Sequence, residues 1–341
     1  MANQSAASYT VQERIPQPLA LADQMQALSR HTDDVANSIP KGARVGFVDY
    51  PVHINVGDLL ILLGTMQFFK SNENSIPTSF CVFDENARLY DALDHTDLIV
   101  CHGGGNFGDI YPKHQRLRER IVECFPKKPV VIMPQSFHFS AIEAMKDSGA
   151  VFRGHDNVTI YVRDEASYQI ARNYFSDQVH FCPDMAHRLY DKFAPVRAAA
   201  LPDTGTKGPL QLMRRDAEAS TGHQLTHDQG SMDWSDIMTT VAKSRIWRYR
   251  AAAKLDGAFA RGNPGRLEQY SSTVSSIVSE IADRLVTHKE WTTSRLHGAI
   301  FGLLLGRDVT LFDNSYGKNS RYFSLWGETL VNLQSKSVQA E

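Results

Sequence analysis

Short apolar runs alternate with amphipathic stretches between residues 44 and 182. The apolar runs are rich in Val, Ile and Phe, and turn-forming residues such as Gly, Pro, Asn and Asp flank many of them. Such runs predict buried β-strands, and the stretches between them predict helices. The predicted strands cover residues 44–50, 78–83, 97–101, 129–133, 158–162 and 179–182. Alternating strands and helices indicate a doubly wound parallel sheet.

The rest of the chain follows the same pattern less regularly. Residues 191–208 are rich in Pro, Ala and Gly and predict a linker. Beyond it, residues 209–213 and 309–312 predict strands, and residues 290–293 are expected to follow a further short strand. Helices are predicted over residues 236–255, 271–286 and 322–330.

These elements predict an α/β fold with two Rossmann-like domains that face each other across a cleft. The chain has 341 residues, more than one hydrophobic core usually organises. The predicted division is an N-terminal extension (1–40), a first domain (41–195), a second domain (205–330) and a tail (331–341). Ligands bind in such sheets outside the carboxyl ends of the strands, so we expect the site in the cleft.

Composition and charge narrow the function classes. The formal net charge is −2, from 36 basic and 38 acidic residues, which argues against a general nucleic-acid binder. The four cysteines form no Cys-x-x-Cys pair, so we expect reduced thiols in a cytosolic protein and no zinc site. The N-terminus lacks a signal-peptide pattern, and no apolar stretch approaches the roughly 20 residues that cross a membrane. We therefore expect a cytoplasmic protein, with peripheral attachment to the inner face of the membrane left open.

A polar segment, Ser294–Ala299, comes directly before the apolar run Ile300–Leu305. This change predicts a loop that enters a buried helix. Arg295 and His297 would then lie where the helix exposes backbone N–H groups, which favours an anionic ligand. Arg binds phosphate or carboxylate through two hydrogen bonds, and His exchanges a proton near neutral pH. The segment therefore indicates chemistry on a small anion.

A glycine-rich segment, His102–Asp109, follows the third predicted strand. Gly103, Gly104 and Gly105 permit positive φ angles and close approach of a ligand to the backbone. The segment lacks the GxGxxG pattern and the Lys-Ser/Thr of a Walker loop, so it does not imply a dinucleotide or a nucleoside triphosphate. A tight turn between strand and helix explains the same residues equally well.

The segment Asn55–Asp58 opens the helix after the first strand. Asn55 and Asp58 can simply cap that helix. Alternatively, Asp58 points into the cleft as a base, or as a hydrogen-bond acceptor for a hydroxyl of the substrate.

Other polar residues follow later strands at the same edge of the sheet. Gln135 follows the fourth strand, Arg163 the fifth and Asp184 the sixth. Each has a structural alternative, because Asp184 can cap a helix and Arg163 can pair with a neighbouring carboxylate at the surface. Tyr316 and Lys318 follow the last strand, where turn-forming residues also suggest a simple loop.

Taken in order and spacing, these segments resemble the polysaccharide pyruvyl transferase family, from about Asn55 to Trp326. The resemblance rests on Asn55–Asp58, His102–Asp109, Met133–Ser136, Val162–Glu165, Pro183–Asp184, Ser294–Gly298 and Asp313–Lys318. The segment from Arg214 to Glu268 has no counterpart in it, so we expect variation in acceptor or partner there.

The resemblance implies a fold similar to the GT-B glycosyltransferases. It implies transfer of pyruvate from phosphoenolpyruvate to two hydroxyls of a sugar as a cyclic ketal, with release of phosphate. The acceptor would belong to an exopolysaccharide or its lipid-linked precursor, with peripheral contact with the membrane-bound assembly machinery as a further expectation. Phosphoenolpyruvate is a co-substrate, so no cofactor and no metal ion is expected. The resemblance links Arg163, Arg295 and His297 to donor binding and activity.

The chemistry suits these residue types. Phosphoenolpyruvate carries a phosphate and a carboxylate, and Arg163, Arg295 and Lys318 can supply the opposing positive charges. His297 would protonate C3 of the donor, and Asp58, preferred over Asp184, would accept the proton of the attacking hydroxyl. The predicted substrate contacts are Asn55, Gly57, Gly103, Gly104, Gly105, Asn106, Gln135, Asp184, Ser294, Tyr316 and Lys318.

Two alternatives remain open from the sequence. A GT-B glycosyltransferase would use the glycine-rich segment and Arg295 to hold the diphosphate of a nucleotide sugar. A carbohydrate-binding or assembly component without activity would share the fold, although the presence of Arg163, Arg295 and His297 argues against it.

Overall fold

The structure is a computed structural model that describes residues 20–200, 207–215, 230–259, 265–313 and 317–334. It contains two parallel β-sheets. The first sheet consists of β1 (Arg44–Val48), β2 (Ser75–Phe80), β3 (Leu98–Cys101), β4 (Gly104–Gly108), β5 (Val130–His138), β6 (Val158–Val162) and β7 (Gln178–Phe181). The second sheet consists of β8 (Leu210–Leu212), β9 (Glu290–Thr293), β10 (Asp308–Phe312) and β11 (Asn332–Gln334). The predicted α/β class with mostly parallel strands is confirmed.

Helices connect the strands of both sheets. The first half of the chain contains α1 (Leu21–His31), α2 (Val56–Ser71), α3 (Ala87–Asp94), α4 (Pro112–Cys124), α5 (Ile142–Arg153), α6 (Glu165–Ile170) and α7 (Ala194–Ala199). The second half contains α8 (Trp234–Ile237), α9 (Thr240–Ala258), α10 (Arg266–Leu285), α11 (Leu296–Leu304) and α12 (Lys318–Trp326).

The strand order creates a crevice at the carboxyl ends of β1 and β3. The first sheet has the order β2-β1-β3-β5-β6-β7, with β4 paired beside β5. Since β2 and β3 lie on opposite sides of β1, the connections leave this point in opposite directions. A parallel sheet of this kind binds its ligand at such a switch point.

An apolar core joins the two sheets. One cluster of buried side chains includes Phe47 of β1, Leu60 of α2, Trp291 of β9 and Leu311 of β10. Helix α2 is buried along most of its length and contacts both α10 and α11. The close approach of α2 to residues 185–189 requires Gly64, because a Cβ there would collide with the backbone carbonyl of Met185.

The glycine-rich segment is a strand where we expected a loop. Gly104–Gly108 form β4, which pairs in parallel with the distal part of β5. Strand β5 has nine residues and β6 only five, so β5 extends further and offers its backbone to β4. Gly104 and Gly108 have φ angles of 132° and 134°, which favour glycine.

Four further expectations differ from the structure. Residues 290–293 form β9 themselves, because Trp291 and Thr293 alternate into the core. The last predicted helix begins at Lys318, four residues early, which brings Lys318 to a helix start. The predicted linker contains α7 in its described part. Strand β11 lies inside the predicted tail, and the domain boundaries at 195 and 205 stay predictions.

The cysteines are free thiols, with Cys124 exposed and the other three buried. Within the described ranges, no helix is both long and apolar enough to cross a bilayer.

Candidate functional site

A pocket of about 260 Å³ lies where the carboxyl ends of the two sheets meet. We call it the central pocket. Its lining combines several cationic and amide side chains with one carboxylate, and consists of His53, Asn55, Asp58, Gly105, Asn106, Tyr111, His114, Arg214, His297 and Lys318. Six of these ten were predicted from the sequence, and the structure brings them together from both halves of the chain.

A larger cavity of about 660 Å³ lies elsewhere, beside β2 and α3. Its lining includes Met66, Phe69 and Leu267, and it shares no residue with the predicted motifs. Size alone does not identify a site, since the perturbed and convergent polar groups lie around the smaller pocket. We therefore place the candidate site in the central pocket.

Asn55 and Asp58 fulfil both of their predicted roles. Asn55 Oδ1 caps α2 by accepting a hydrogen bond from the Gly57 N–H at 3.0 Å. Asn55 Nδ2 donates to Asp58 Oδ2 at 2.8 Å, and His53 Nε2 lies 3.5 Å from the same oxygen. The Asp58 side chain remains 24% exposed, so the carboxylate is accessible from the pocket.

His297 lies in the first turn of α11 and packs against the start of α2. A Cβ on Gly57 would lie 2.7 Å from the Cβ, Cγ and Nδ1 atoms of His297, so the ring can occupy this position only beside a glycine. His297 Nε2 lies 3.1 Å from Asp184 Oδ2. The ring nitrogen that remains for contact with a ligand is therefore Nδ1.

Arg163 and Asp184 form a fully buried ion pair behind the pocket. Arg163 Nη2 also donates to Ser136 Oγ at 3.1 Å. Burial by itself would raise the pKa of Asp184, but His297 and Arg163 outweigh it and hold that pKa well below its usual value. The carboxylate of Asp184 is therefore ionised and contacts both Arg163 and His297.

Gly105 marks the place where two cations converge. A Cβ on Gly105 would collide with Lys318 Nζ and would lie 3.4 Å from Arg163 Nη2. Lys318 is 8% exposed, so its ammonium group is held inside the protein against this glycine. The absence of a side chain at residue 105 thus gives both cations access to the same region.

Arg295 does not line the central pocket. Its Nε and Nη2 atoms donate to the two carboxylate oxygens of Asp233, at 2.5 and 2.6 Å. Ser294, the neighbouring residue, accepts a hydrogen bond from the Arg214 N–H at 2.9 Å through its hydroxyl. The Ser294–Arg295 segment thus joins the start of α11 to the segments around Asp233 and Arg214.

The predicted residues of the glycine-rich segment divide into two groups. Gly105 and Asn106 line the pocket, whereas Gly103 and Gly104 do not. Gly103 is required by packing, because a Cβ there would lie 2.8 Å from the carbonyl oxygen of Pro134. Gln135 is fully buried and donates to the His102 carbonyl at 2.8 Å, so it supports the segment from behind. Tyr316 lies outside the described residues.

The sequence did not identify a second buried carboxylate, Asp49, directly after β1. Asp49 Oδ1 lies 2.6 Å from His114 Nδ1, and Arg118 Nη2 donates to Asp49 Oδ2 at 2.7 Å. Burial would raise the pKa of Asp49, but His114 and Arg118 lower it overall. This arrangement holds His114 in the pocket wall. Asp49 has a φ of 66°, unusual for a non-glycine residue at a strand end, but the sequence alone does not show this.

Arg214 was also missed, although a signal for it existed. It lies two residues after the end of β8, and polar residues at the carboxyl end of a parallel strand face the ligand edge. His102 lies beneath the pocket. Burial lowers the pKa of His102 to about 4, so its ring is neutral at neutral pH.

Comparison with known proteins places this site in a family context. The profile of the family described as polysaccharide pyruvyl transferase matches residues 55–316. The chain is 35% identical over 306 residues to the Bacillus subtilis (strain 168) protein named "Putative pyruvyl transferase EpsO", covering 89% of this chain and 92% of that protein. It is 25% identical over 298 residues to Pyruvyl transferase 1 of Schizosaccharomyces pombe (strain 972), covering 84% and 70%.

One solved structure is also similar. It belongs to an uncharacterised protein from Klebsiella pneumoniae subsp. pneumoniae NTUH-K2044, with a TM-score of 0.58 and 20% sequence identity. The match covers 90% of this chain and 98% of that one. At this level of identity, the similarity shows the fold alone.

Proposed function

The chain belongs to the polysaccharide pyruvyl transferase family, and we propose that it transfers pyruvate from phosphoenolpyruvate to two hydroxyls of a sugar as a cyclic ketal. The composition of the central pocket is the observation that supports this donor and this product. Arg214, Lys318 and His297 share it with Asp58 and Asn55. A trianionic donor fits the cationic groups, and a hydroxyl-bearing acceptor fits the carboxylate and the amide.

The donor would bind where Lys318 and Arg163 converge over Gly105. Lys318 and Arg214 line the pocket, and Arg163 lies directly behind Gly105. The donor phosphate and carboxylate together need several positive charges, which these residues supply. In a partly enclosed pocket the same charges stabilise the departing phosphate more strongly than they would in water.

His297 would act as the general acid that protonates C3 of the donor. Asp184 holds Nε2 at 3.1 Å, which fixes the orientation of the ring. Nδ1 then delivers the proton. Protonation at C3 makes C2 electrophilic, so a sugar hydroxyl can attack it.

Asp58 would accept the proton of the attacking hydroxyl. It lines the pocket and is partly exposed, whereas Asp184 is buried, paired with Arg163 and, with its lowered pKa, a poor proton acceptor. His114, held by Asp49, would accept the proton of the second hydroxyl as that hydroxyl closes the ketal. The protons balance, because C3 gains one, the two hydroxyls lose two, and the remaining proton leaves with the phosphate.

Arg295 would act by positioning. Arg295 directly precedes α11, the helix that carries His297. Its two hydrogen bonds to Asp233 therefore fix the start of this helix. Arg295 would thus contribute to activity by holding the imidazole in place, without contact with the donor.

The surroundings of the reaction follow from its substrates. Phosphoenolpyruvate is a cytoplasmic metabolite, so we propose a cytoplasmic enzyme. Its acceptor would be an exopolysaccharide unit or its lipid-linked precursor. The two parallel sheets with the pocket at their carboxyl ends support a GT-B-like arrangement of two Rossmann-like domains.

The experiment is to measure phosphate release from phosphoenolpyruvate with and without terminal galactosides, glucosides and N-acetylmannosaminides, with product masses recorded in parallel. We expect acceptor-dependent phosphate release and the mass gain of one pyruvyl ketal. The His297→Ala variant should still bind phosphoenolpyruvate but release phosphate roughly 10²–10⁴-fold more slowly. Binding of a nucleoside diphosphate, with no binding of phosphoenolpyruvate, would contradict the proposed donor.

A further inference from the structure

Helix α9 exposes large apolar side chains on the face that points away from the protein. Val241, Trp247 and Leu255 are 69%, 51% and 57% exposed. The opposite face packs inward through residues such as Ile246 and Ala253. Outside residues 241–259, the only large apolar side chain of the described chain that is more than half exposed is Ile142. The exposed apolar groups are therefore concentrated on this helix.

The same helix is strongly basic. It carries five cationic side chains and a single acidic one, Asp256, whose carboxylate pairs with Arg266 of α10. The cations are Lys243, Arg245, Arg248, Arg250 and Lys254. The whole chain has a formal net charge of −2, so this positive charge is a local property of α9.

The apolar and cationic groups are arranged around the helix axis in an ordered way. Trp247, Ala251 and Leu255 are four residues apart, so they form a row along the outer face. Lys254 lies on one side of this row and Arg245 on the other. The Lys254 ammonium also lies 5.8 Å from the centre of the Phe83 ring, which helps to seat the helix on the protein.

We infer that α9 binds the surface of an anionic lipid bilayer. Trp247 and Leu255 would enter the boundary between headgroups and acyl chains, and the flanking cations would contact lipid phosphates. A basic helix with an exposed aromatic and aliphatic row has the charge and the apolar surface that such an interface requires. The cations lie on both sides of the apolar row. An anionic bilayer carries negative charge on both sides of an inserted helix, whereas an acidic patch on a partner protein would face only part of it.

The helix also lies beside the central pocket. Burial is the main reason for the lowered pKa of His53, a pocket residue, and the nearby charge of Arg250 contributes to it. Membrane binding through α9 would therefore hold the pocket close to the bilayer. Membrane binding by α9 does not depend on the reaction proposed above.

The test is flotation of the full-length protein with vesicles of phosphatidylcholine alone and with vesicles that also contain phosphatidylglycerol. We expect binding to the anionic vesicles, loss of binding in high salt and little binding to the neutral ones. Trp247→Ser combined with Leu255→Gln should lower the partition coefficient roughly tenfold or more. Ile142→Ser, which removes an apolar residue of α5 that is 64% exposed, should not change the partition coefficient.

The charge contribution has its own matched pair of variants. Arg245→Gln with Arg248→Gln should weaken binding to anionic vesicles by roughly 10- to 30-fold. Arg116→Gln with Lys127→Gln removes the same charge from another surface and should leave binding unchanged. Both pairs alter partly or fully exposed side chains, so they keep the test valid if the apolar variant fails to fold.

Three results would overturn the inference. The first is no binding to either vesicle type, and the second is binding that falls equally in the α9 variants and their controls. The third is concentration-dependent dimerisation that Trp247→Ser abolishes, without vesicle binding, because a second copy of the chain would then cover this face.

Discussion

His297 Nε2 lies 3.1 Å from Asp184 Oδ2, although 113 positions separate the two residues along the chain. The same carboxylate oxygen binds Arg163, so one buried charge joins an imidazole to a guanidinium. A carboxylate in this position fixes the orientation of the ring. The pair therefore connects the β7 end of the first sheet to α11, the helix that follows β9 of the second sheet.

Asp184→Asn should destabilise the fold. An amide cannot neutralise Arg163, and a buried cation without its partner typically costs about 3–5 kcal/mol. We expect the free energy of unfolding in urea at pH 7 to fall by roughly this amount. Glu143→Gln, which breaks an exposed pair with Lys146, should change it by less than about 1 kcal/mol. Equal effects of the two substitutions would mean that the buried ion pair contributes no more to the free energy of unfolding than the exposed one.

Gly57→Ala should reduce activity. The added methyl group would lie 2.7 Å from the Cβ, Cγ and Nδ1 atoms of His297, so the start of α11 must shift and the imidazole must move with it. A displacement of about 1 Å at a catalytic group can lower the rate roughly 10²-fold. The measurement is kcat for ketal formation, together with a thermal melt. Gly208→Ala is the control, since a Cβ there meets no atom within 4 Å.

Gly105→Ala should weaken donor binding. The new Cβ collides with Lys318 Nζ, the far end of a flexible side chain, so the ammonium group moves while the backbone stays in place. We expect the KM for phosphoenolpyruvate to rise roughly tenfold, because a charged hydrogen bond contributes about 1.5–3 kcal/mol. Lys318→Met should show the same effect, and the double variant should add little to either. Additive losses would show that Gly105 acts on something other than Lys318.

Arg295→Lys should lose most of the turnover. A lysine cannot make both hydrogen bonds to Asp233, so the start of α11 and His297 with it would be held less firmly. Arg120→Lys is a matched control, because Arg120 makes the same two-point contact with Glu85 at the surface. If Arg295 instead held the donor, its substitution would raise the KM for phosphoenolpyruvate and leave the unfolding free energy unchanged.

Stability should fall as the pH drops from about 6.5 to about 4. Burial lowers the pKa of His187 to about 4, and its ring lies 2.9 Å from the Tyr322 hydroxyl. Between these pH values the unfolded state binds a proton that the folded state does not, so His187 alone accounts for roughly 3 kcal/mol of lost stability. The free energy of unfolding in urea, measured across this pH range, should depend less steeply on pH for His187→Gln. Substitution of the exposed His95 by Gln should leave the pH dependence of the unfolding free energy as it is in the unchanged protein.

Local sequence patterns predicted β3 and β6 of the first sheet because each of these strands is a short buried run. The runs at 97–101 and 158–162 agree with β3 and β6 within one residue. Strand β4 was not predicted, because Gly104–Gly108 carry little strand preference of their own. Their conformation depends on the extra length of β5, which is a tertiary property.

The sequence by itself determined the α/β class, the family and the residue types at the strand ends, because each of these depends on local order along the chain. Tertiary structure alone decided which of those residues meet. It placed Asp58, Lys318 and His297 in one pocket and turned Arg295 toward Asp233. It also joined Asp49 to His114 across 65 positions. Such pairings follow from the packing of α2 against α11, and no local pattern encodes the distance between segments that lie far apart in the sequence.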